Sequence, residues 1–251
     1  MALTGKTAVV TGGASGIGRG ICLHLARAGA NIAIFDLDLP GAQKIADEVR
    51  ALGRRALACQ VDVANATNVQ TAVEQVHQEL GLVQILVNDA GIAEFLPFAH
   101  TTEEKWDRMI AVHMKGMFNC TKAVVQDMVN AGWGRIVNIS SGAGVTGMEN
   151  LVHYSSAKAG MLGFTKALAQ ELGPSGITVN AIAPGFIDTP IIAKSVPKDQ
   201  MQQFAEIMIG RTPVRRIGKP DDIATACAYL ASEEASFTTG QVLNVNGGVI
   251  T

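Results

Sequence analysis

The amino-acid sequence predicts an α/β fold, a doubly wound, seven-stranded parallel sheet with helices on both faces, in a single domain spanning residues 1–251. Short runs that are apolar on both faces alternate with helical segments, which is typical of a parallel sheet covered on each side. Hydrophobic residues make up 48% and charged residues 17%, as in a globular protein with a large core. The sequence contains no internal repeat, low-complexity tract or long linker, which favours one domain.

The predicted elements follow one another in a regular order. The strands are predicted at residues 7–12, 31–36, 55–63, 83–91, 134–141, 176–185 and 240–248. Helices separate them: the first, at 16–30, has apolar residues at helical spacing, and the second ends near Gly53. In such a sheet the loops after the strands meet at one edge, where ligands bind. The functional residues are therefore expected in those loops.

Charge, cysteine content and hydropathy exclude several classes of protein. The net charge of −2 gives no reason to expect nucleic acid or an anionic membrane as a partner. Four cysteines, Cys22, Cys59, Cys120 and Cys227, are far apart and form no CxxC pair, so neither a metal site nor a disulfide framework is predicted. The sequence has no signal-peptide pattern at its start and no apolar segment of the roughly 18 residues that cross a membrane, so we expect a cytoplasmic protein.

A glycine-rich turn, TGGASGIG at 11–18, connects the first strand to the first helix. Such a turn exposes backbone N–H groups at a helix N-terminus, where the helix dipole also attracts anions. Tight strand–helix turns need glycine for other reasons too, but the position directly after the first strand favours binding of a dinucleotide pyrophosphate. The residues predicted to hold it are Gly12, Ser15, Gly16, Ile17 and Gly18.

Asp36 ends the second strand, 18 residues after Gly18, close to the spacing at which an acid binds the adenosine ribose of a dinucleotide. A carboxylate repels the 2′-phosphate of NADP(H), and positions 15 and 37 hold Ser15 and Leu37 rather than a basic residue. A solvated aspartate at the end of a strand is the simpler alternative. Together with the glycine-rich turn, Asp36 and Leu37 predict NAD(H) as the cofactor.

Two further loops end strands at the same edge of the sheet. The third strand ends in VDV, where Asp62 can accept a hydrogen bond from the adenine amino group and Val63 follows it. The fourth ends in NDAG, which contributes Asn88, Ala90 and Gly91. These loops are predicted to line the same dinucleotide cleft.

Tyr154 and Lys158 are four residues apart in VHYSSAKAG, one helical turn and about 6 Å along the axis. A nearby ammonium favours a phenolate, so Lys158 is expected to lower the pKa of Tyr154 and make it an acid/base near neutral pH. Ser141 ends the fifth strand, where its hydroxyl could hold a carbonyl or alcohol oxygen. A surface helix with a stray aromatic residue is the alternative.

These motifs, together with PGFIDT at 184–189, resemble the short-chain dehydrogenases/reductases, in particular the branch of the 3-oxoacyl-carrier-protein reductases. The resemblance covers essentially the whole chain and implies a Rossmann-like fold and a homotetramer, or at least a dimer. It also implies that Tyr154 is the general acid/base, that Ser141 orients the substrate oxygen and that Lys158 binds the nicotinamide ribose. The segment with Pro184, Gly185, Ile187 and Thr189 would hold the nicotinamide end.

Two positions depart from the family pattern. Asp89 stands where NNAG has a second asparagine, and His113 stands where an asparagine supports the proton relay. A histidine at this place resembles the (R)-3-hydroxyacyl-CoA dehydrogenases of multifunctional β-oxidation enzymes. His113 is therefore expected either to serve the relay, through its side chain or its backbone, or to be a core histidine.

The substrate side is predicted from segments that follow the strand ends, with a mobile lid at about 190–212. The predicted substrate-binding residues are Ser141, Glu94, Ala143, Met148, Glu149 and Phe186. Their mostly apolar character predicts a hydrophobic secondary alcohol or ketone as the substrate of an NAD-dependent alcohol dehydrogenase/ketoreductase. The alternatives are a 3-hydroxyacyl-CoA or acyl-carrier-protein dehydrogenase, and a non-catalytic NAD(H)-sensing protein.

Overall fold

The computed structural model describes residues 2–190, 199 and 201–250. In these residues, seven parallel strands form one sheet with the order β3-β2-β1-β4-β5-β6-β7. The strands are β1 (Thr7–Thr11), β2 (Asn31–Asp36), β3 (Ala56–Gln60), β4 (Ile85–Asn88), β5 (Gly134–Ile139), β6 (Ile177–Pro184) and β7 (Val242–Val245). The predicted α/β sheet is confirmed.

Helices cover both faces of this sheet. Those in the described ranges are α1 (Gly16–Arg27), α2 (Leu39–Ala51), α3 (Ala66–Glu79), α4 (Glu103–Ile110), α5 (Gly116–Ala131), α6 (Gly142–Thr146), α7 (Val152–Leu172), α8 (Met201–Arg211) and α9 (Pro220–Leu230). A π-helical turn, Ala111–Lys115, joins α4 to α5. Among the described residues, every helix is too short or too polar to span a lipid bilayer.

The sheet separates two hydrophobic clusters, because successive side chains of a strand point to opposite faces. On β2, Ile32 and Ile34 pack with α1, α2 and α9, whereas Ala33 and Phe35 pack on the other face. That second face is covered by α3, α5 and α7. These four central side chains of β2 are fully buried, as expected for a strand covered on both faces.

The strand order reverses between β1 and β4, and this opens a crevice at the carboxyl ends of the two strands. Thr11, the last residue of β1, connects β1 to the loop after β4 at this crevice. Its Oγ1 accepts hydrogen bonds from the N–H groups of Asp89 and Ala90, each at 3.0 Å. The Gly12 N–H donates to the Phe35 carbonyl at 2.7 Å. Loops from three strands are thereby held at one place.

Several element boundaries differ from the prediction. Strands β3, β4 and β7 are shorter than expected, because the predicted runs extend into loop residues; Gly247 and Gly248 after β7, for example, have φ values of +66° and +88°. Helix α1 ends at Arg27 rather than residue 30, since Gly29 has a φ of +109° and leaves the helical conformation. Of the predicted lid at 190–212, residues 191–198 and 200 lie outside the described residues, and α8 forms most of the remainder.

Candidate active site

A cleft of about 280 Å³ lies at the crevice between β1 and β4. It brings together most of the residues predicted to bind a dinucleotide. Those that line it are Gly12, Ser15, Gly16, Ile17, Asp36, Leu37, Asp62, Val63, Ala90, Gly91 and Thr189. The loops after β1, β2, β3 and β4 therefore converge as the sequence predicts.

The glycine-rich turn has the shape that a pyrophosphate requires. Gly16, the first residue of α1, has a φ of +53°, a conformation that favours glycine. A Cβ on Gly18 would clash with the carbonyl oxygen of Gly12, so Gly18 lies beneath the cleft and lets α1 approach the turn closely. The N-terminus of α1 is thus held at the cleft, with its backbone N–H groups and dipole available to an anion.

Asp36 lines the cleft at the end of β2, in the position expected for a ribose-binding acid. Its Oδ2 accepts the Ala14 N–H and its Oδ1 accepts the Asp38 N–H, both at 3.0 Å. These bonds fix the carboxylate and leave each oxygen able to accept another hydrogen bond. Leu37 beside it is 65% exposed and lines the same cleft.

Arg108 of α4 also lines this cleft and was not among the predicted residues. The side chain is exposed and lies on the wall shared with Val112. The sequence of α4 is that of an ordinary charged surface helix. Only the fold brings Arg108 next to the loops after β1 and β3. Sequence spacing alone contains no signal for it.

Asn88 has a different position from the one predicted. It is buried, and its Nδ2 donates to Oδ1 of Asn138 at 2.8 Å, while Nδ2 of Asn138 donates to Oγ1 of Thr165 at 2.9 Å. This chain of hydrogen bonds links β4, β5 and α7 beneath the site. Asn88 therefore supports the cleft and does not line it.

A second cavity, of about 130 Å³, continues from the cleft and contains the predicted catalytic residues. Ser141, Tyr154 and Lys158 line it together with His113. The predicted nicotinamide-binding residues Pro184, Gly185, Ile187 and Thr189 line it as well. Ser141 caps α6, where its Oγ accepts the Ala143 N–H at 3.1 Å, and the start of α7 places Tyr154 opposite.

The expected lowering of the Tyr154 pKa is wrong for this arrangement. Burial raises the pKa of Tyr154 to about 12, and a hydrogen bond between the Ser141 and Tyr154 side chains opposes that rise. The ammonium of Lys158 lies 5.7 Å from the centre of the phenol ring. The sequence shows the spacing of the two residues but not the desolvation of the phenol, which depends on the fold.

Lys158 is held in one position by its surroundings. Lys158 is buried, its Nζ donates to the Ile139 carbonyl at 2.7 Å, and the Lys158 carbonyl accepts from Oγ of Ser140 at 2.8 Å. Burial lowers the pKa of Lys158, while the negative charge of Asp89 raises it. A cation is thus fixed at the floor of the cavity, where a ribose hydroxyl or a developing phenolate could use it.

His113 lies in the π-helical turn between α4 and α5, and its ring meets the Tyr154 ring edge-on with centroids 5.4 Å apart. Nε2 is 2.8 Å from the Ile92 carbonyl oxygen. Burial lowers the pKa of His113 to about 3, so the imidazole is neutral at physiological pH. A Cβ on Gly91 would lie 2.5 Å from Cε1 of His113, so the glycine of NDAG makes room for the ring.

A third cavity, of about 380 Å³, shares Ser141 and Tyr154 with the second. Its lining includes the predicted substrate residues Ala143, Met148 and Phe186. Glu94 instead pairs with Lys105 on the outside of α4, and Glu149 is exposed on the loop before α7, so neither lines this cavity. Arg211, at the end of α8 and within the predicted lid, also lines it, as does Asn246, directly after β7; the prediction missed Asn246 because it placed this residue inside the last strand.

Comparison with known proteins agrees with this geometry. The family model described as enoyl-(acyl carrier protein) reductase, one of the short-chain dehydrogenase/reductase models, matches residues 12–250. The chain belongs to the short-chain dehydrogenase/reductase family. Members of this family are oxidoreductases that use nicotinamide cofactors.

Similar short-chain dehydrogenases/reductases include the acetoacetyl-CoA reductase of Cupriavidus necator, which is 40% identical over 98% of this chain and 99% of its own length. The 3-oxoacyl-(acyl-carrier-protein) reductase FabG of Pseudomonas aeruginosa is 39% identical over 99% of both chains. Among solved structures, a short-chain type dehydrogenase/reductase from Mycobacterium marinum aligns with a TM-score of 0.91 at 31% identity, covering 99% of this chain and 96% of that one.

Proposed function

We propose that this protein interconverts a 3-hydroxyacyl thioester and the corresponding 3-oxoacyl thioester, using NAD(H). The observation that supports this most strongly is that Ser141 and Tyr154 line both the cavity next to the dinucleotide cleft and the larger apolar cavity. A cofactor entering from one side and a substrate entering from the other would meet at these two side chains.

The chemistry follows from the positions of three side chains. A nicotinamide bound in the cleft would accept a hydride from the alcohol carbon, or donate one to the ketone carbon. Ser141 would hold the substrate oxygen by a hydrogen bond, and the Tyr154 phenol oxygen would take the hydroxyl proton during oxidation and return one during reduction. The Lys158 charge would stabilise the phenolate when it forms, because the ammonium is buried nearby.

Asp36 supports NAD(H) over NADP(H). Its carboxylate is fixed by two backbone N–H groups at the end of β2, where it can accept from both ribose hydroxyls. A 2′-phosphate would be placed against this negative charge. Arg108 lines the same cleft, so comparing the binding of NAD(H) and NADP(H) tests directly whether the Asp36 or the Arg108 charge dominates.

The third cavity supports a thioester substrate. Its lining is mostly apolar, including Phe95, Met148, Leu151 and Phe186, which suits an acyl chain. Arg211 is the only charged residue among the described residues that line it, and it is exposed, so it could pair with a phosphate of a coenzyme A or carrier-protein group. The names of the Cupriavidus and Pseudomonas relatives indicate thioester substrates for those proteins.

A free hydrophobic secondary alcohol, or its ketone, is the second candidate. The same apolar lining favours it, since Phe186 and Met148 would contact any aliphatic or aromatic group. This substrate would not need Arg211. The two candidates therefore differ in how the enzyme responds to removal of the arginine.

The test is steady-state reduction of NAD+ or NADP+ with a panel of 3-hydroxyacyl-CoA thioesters and free secondary alcohols. We expect turnover with NAD+, a higher kcat/KM for thioesters, and a loss of about 10²–10⁴-fold in kcat for Tyr154→Phe. A preference for NADP+ would overturn the interpretation of Asp36. Binding of NADH without turnover of any substrate would favour a non-catalytic NAD(H)-sensing protein.

A further inference from the structure

Asp89 is a carboxylate at the junction between the dinucleotide cleft and the catalytic cavity. It lines both, together with Ile17 and Gly91. The Asp89 N–H donates to Oγ1 of Thr11 at 3.0 Å, and the carboxylate accepts the N–H of Gly18 in the first turn of α1. A Cβ on Gly18 would lie 2.8 Å from Oδ2, so the carboxylate is packed closely against the helix.

The charges around Asp89 come from several elements. Lys158 of α7 attracts the carboxylate, Asp36 of β2 repels it, and the N-terminus of α1 adds partial positive charge. Arg108 of α4 lines the same cleft. Burial raises the pKa of Asp89, and the Lys158 charge and the Gly18 N–H oppose that rise.

The neighbouring neutral groups do not change charge near physiological pH. His113 of the π-helical turn has a pKa lowered to about 3, and Tyr154 of α7 has one raised to about 12. Burial also raises the pKa values of the Cys22 and Cys227 thiols, and the charge of Asp89 adds to both rises. The Asp89–Lys158 pair is therefore the group whose charge can vary in this cavity.

A carboxylate at this junction acts differently on the two forms of a nicotinamide dinucleotide. The oxidised form carries a positive charge on the nicotinamide ring and the reduced form does not, while the ribose and pyrophosphate groups are the same. Any effect of Asp89 on the pyrophosphate therefore cancels when the two forms are compared. What remains is the attraction between the carboxylate and the cationic ring.

We propose that Asp89 is a specificity-determining residue that makes the site favour the oxidised over the reduced dinucleotide. This inference rests on the proposed function, because it needs the nicotinamide ring in the cavity lined by Ser141 and Tyr154. An asparagine, the residue usual at this position in the family, has the same shape and can still accept the Gly18 N–H, but it has no charge.

The experiment compares dissociation constants of NAD+ and NADH for the wild type and Asp89→Asn at pH 7.5, by titration calorimetry and NADH fluorescence. We expect the ratio Kd(NAD+)/Kd(NADH) to rise about three- to tenfold in the variant. Asp62→Asn is the matched control, since Asp62 is a cleft carboxylate outside the catalytic cavity. Its removal should change both constants by the same factor.

An unchanged or lower ratio in a folded Asp89→Asn protein would overturn the inference. If the variant does not fold, the wild type is measured at pH 5.5 and pH 7.5. Protonation of Asp89 should then reduce the preference for NAD+ at the lower pH, and a constant ratio would contradict the proposal. Failure of the wild type to bind either dinucleotide would instead contradict the proposed function, so the two failures are distinguishable.

Discussion

Lys158 and Asp89 both line the catalytic cavity, one from α7 and the other from the loop after β4, and their opposite charges attract each other. Lys158 is buried, and its ammonium also donates to the Ile139 carbonyl. Two opposite charges placed in such an environment depend on each other, because removing one leaves the other without compensation. A substitution at either residue is therefore expected to change both the stability of the fold and the chemistry of the site.

The prediction at this pair is a double-mutant cycle. Lys158→Met should lower the free energy of unfolding by about 2–4 kcal/mol, because it leaves the Asp89 carboxylate unpaired. Adding Asp89→Asn should recover about 1–2 kcal/mol of that loss. Urea denaturation of the four proteins measures the cycle, and strictly additive effects would show that the two charges do not interact.

His113 gives a second prediction at the residue scale, on stability against pH. Its pKa is lowered from 6.5 to about 3 in the folded protein, so the unfolded chain binds more protons between those values. Stability should therefore fall as the pH drops below 6.5, by at most about 1.4 kcal/mol per pH unit. Urea denaturation at pH 7, 6 and 5 should show a shallower fall for His113→Asn than for the wild type. Parallel curves would place the histidine in a more solvated environment.

The first strand, the glycine-rich turn and α1 form the element on which the dinucleotide cleft depends. Gly18 lies inside α1 but is pressed against the Gly12 carbonyl and the Asp89 carboxylate. Gly163, in the middle of α7, has open space around the position of a Cβ. Both glycines therefore lie inside helices, but the space that a Cβ would need is filled at Gly18 and open at Gly163.

This contrast predicts opposite results for the same substitution. Gly18→Ala should lower the free energy of unfolding by about 1–3 kcal/mol and weaken NADH binding, because the turn must move to admit the methyl group. Gly163→Ala should leave NADH binding unchanged and stabilise the protein by up to about 1 kcal/mol. Chemical denaturation and NADH titration measure both, and equal behaviour of the two variants would contradict the packing at Gly18.

At the scale of elements, the order and type of the strands could be predicted because each strand is a continuous apolar run. The ends of β3 and β4 could not be predicted, since the predicted runs continue through Val61, Val63 and Gly91, which lie beyond the strand ends and line the cleft. Tyr154, Lys158 and Ser141 could be placed from their motifs. The π-helical turn at His113 could not, because it depends on a shift in backbone hydrogen bonds that the side-chain pattern does not show.

At the scale of the whole molecule, the family resemblance implies a homotetramer or at least a dimer, and the surface has features that suit assembly. Apolar side chains are exposed on α5 and α7, namely Phe118, Val129 and Val152. Strand β7 is an edge of the sheet, and Leu243 on it is also exposed. Large exposed apolar residues and open sheet edges are common at subunit contacts.

Sedimentation analysis at micromolar concentration should therefore give at least the mass of a dimer. Phe118→Glu should shift the population towards monomer, because it places a charge in an apolar contact. Phe98→Glu is the control, since Phe98 is similarly exposed but lies in the loop before α4. A monomeric wild type, or equal effects of the two variants, would contradict assembly through α5.

The contact between Gly91 and His113 constrains the order in which substitutions at these two positions can occur during evolution. With His113 in this position, a Cβ at residue 91 would lie 2.5 Å from Cε1 of the imidazole, so a side chain there would require the buried ring to move. If asparagine replaced the histidine first, position 91 would become open to alanine. If alanine replaced Gly91 first, the resulting protein would have the new methyl group pressed against the His113 ring. Substitutions at these two sites are thus expected to be epistatic, and a survey of natural relatives should find histidine at 113 only beside glycine at 91.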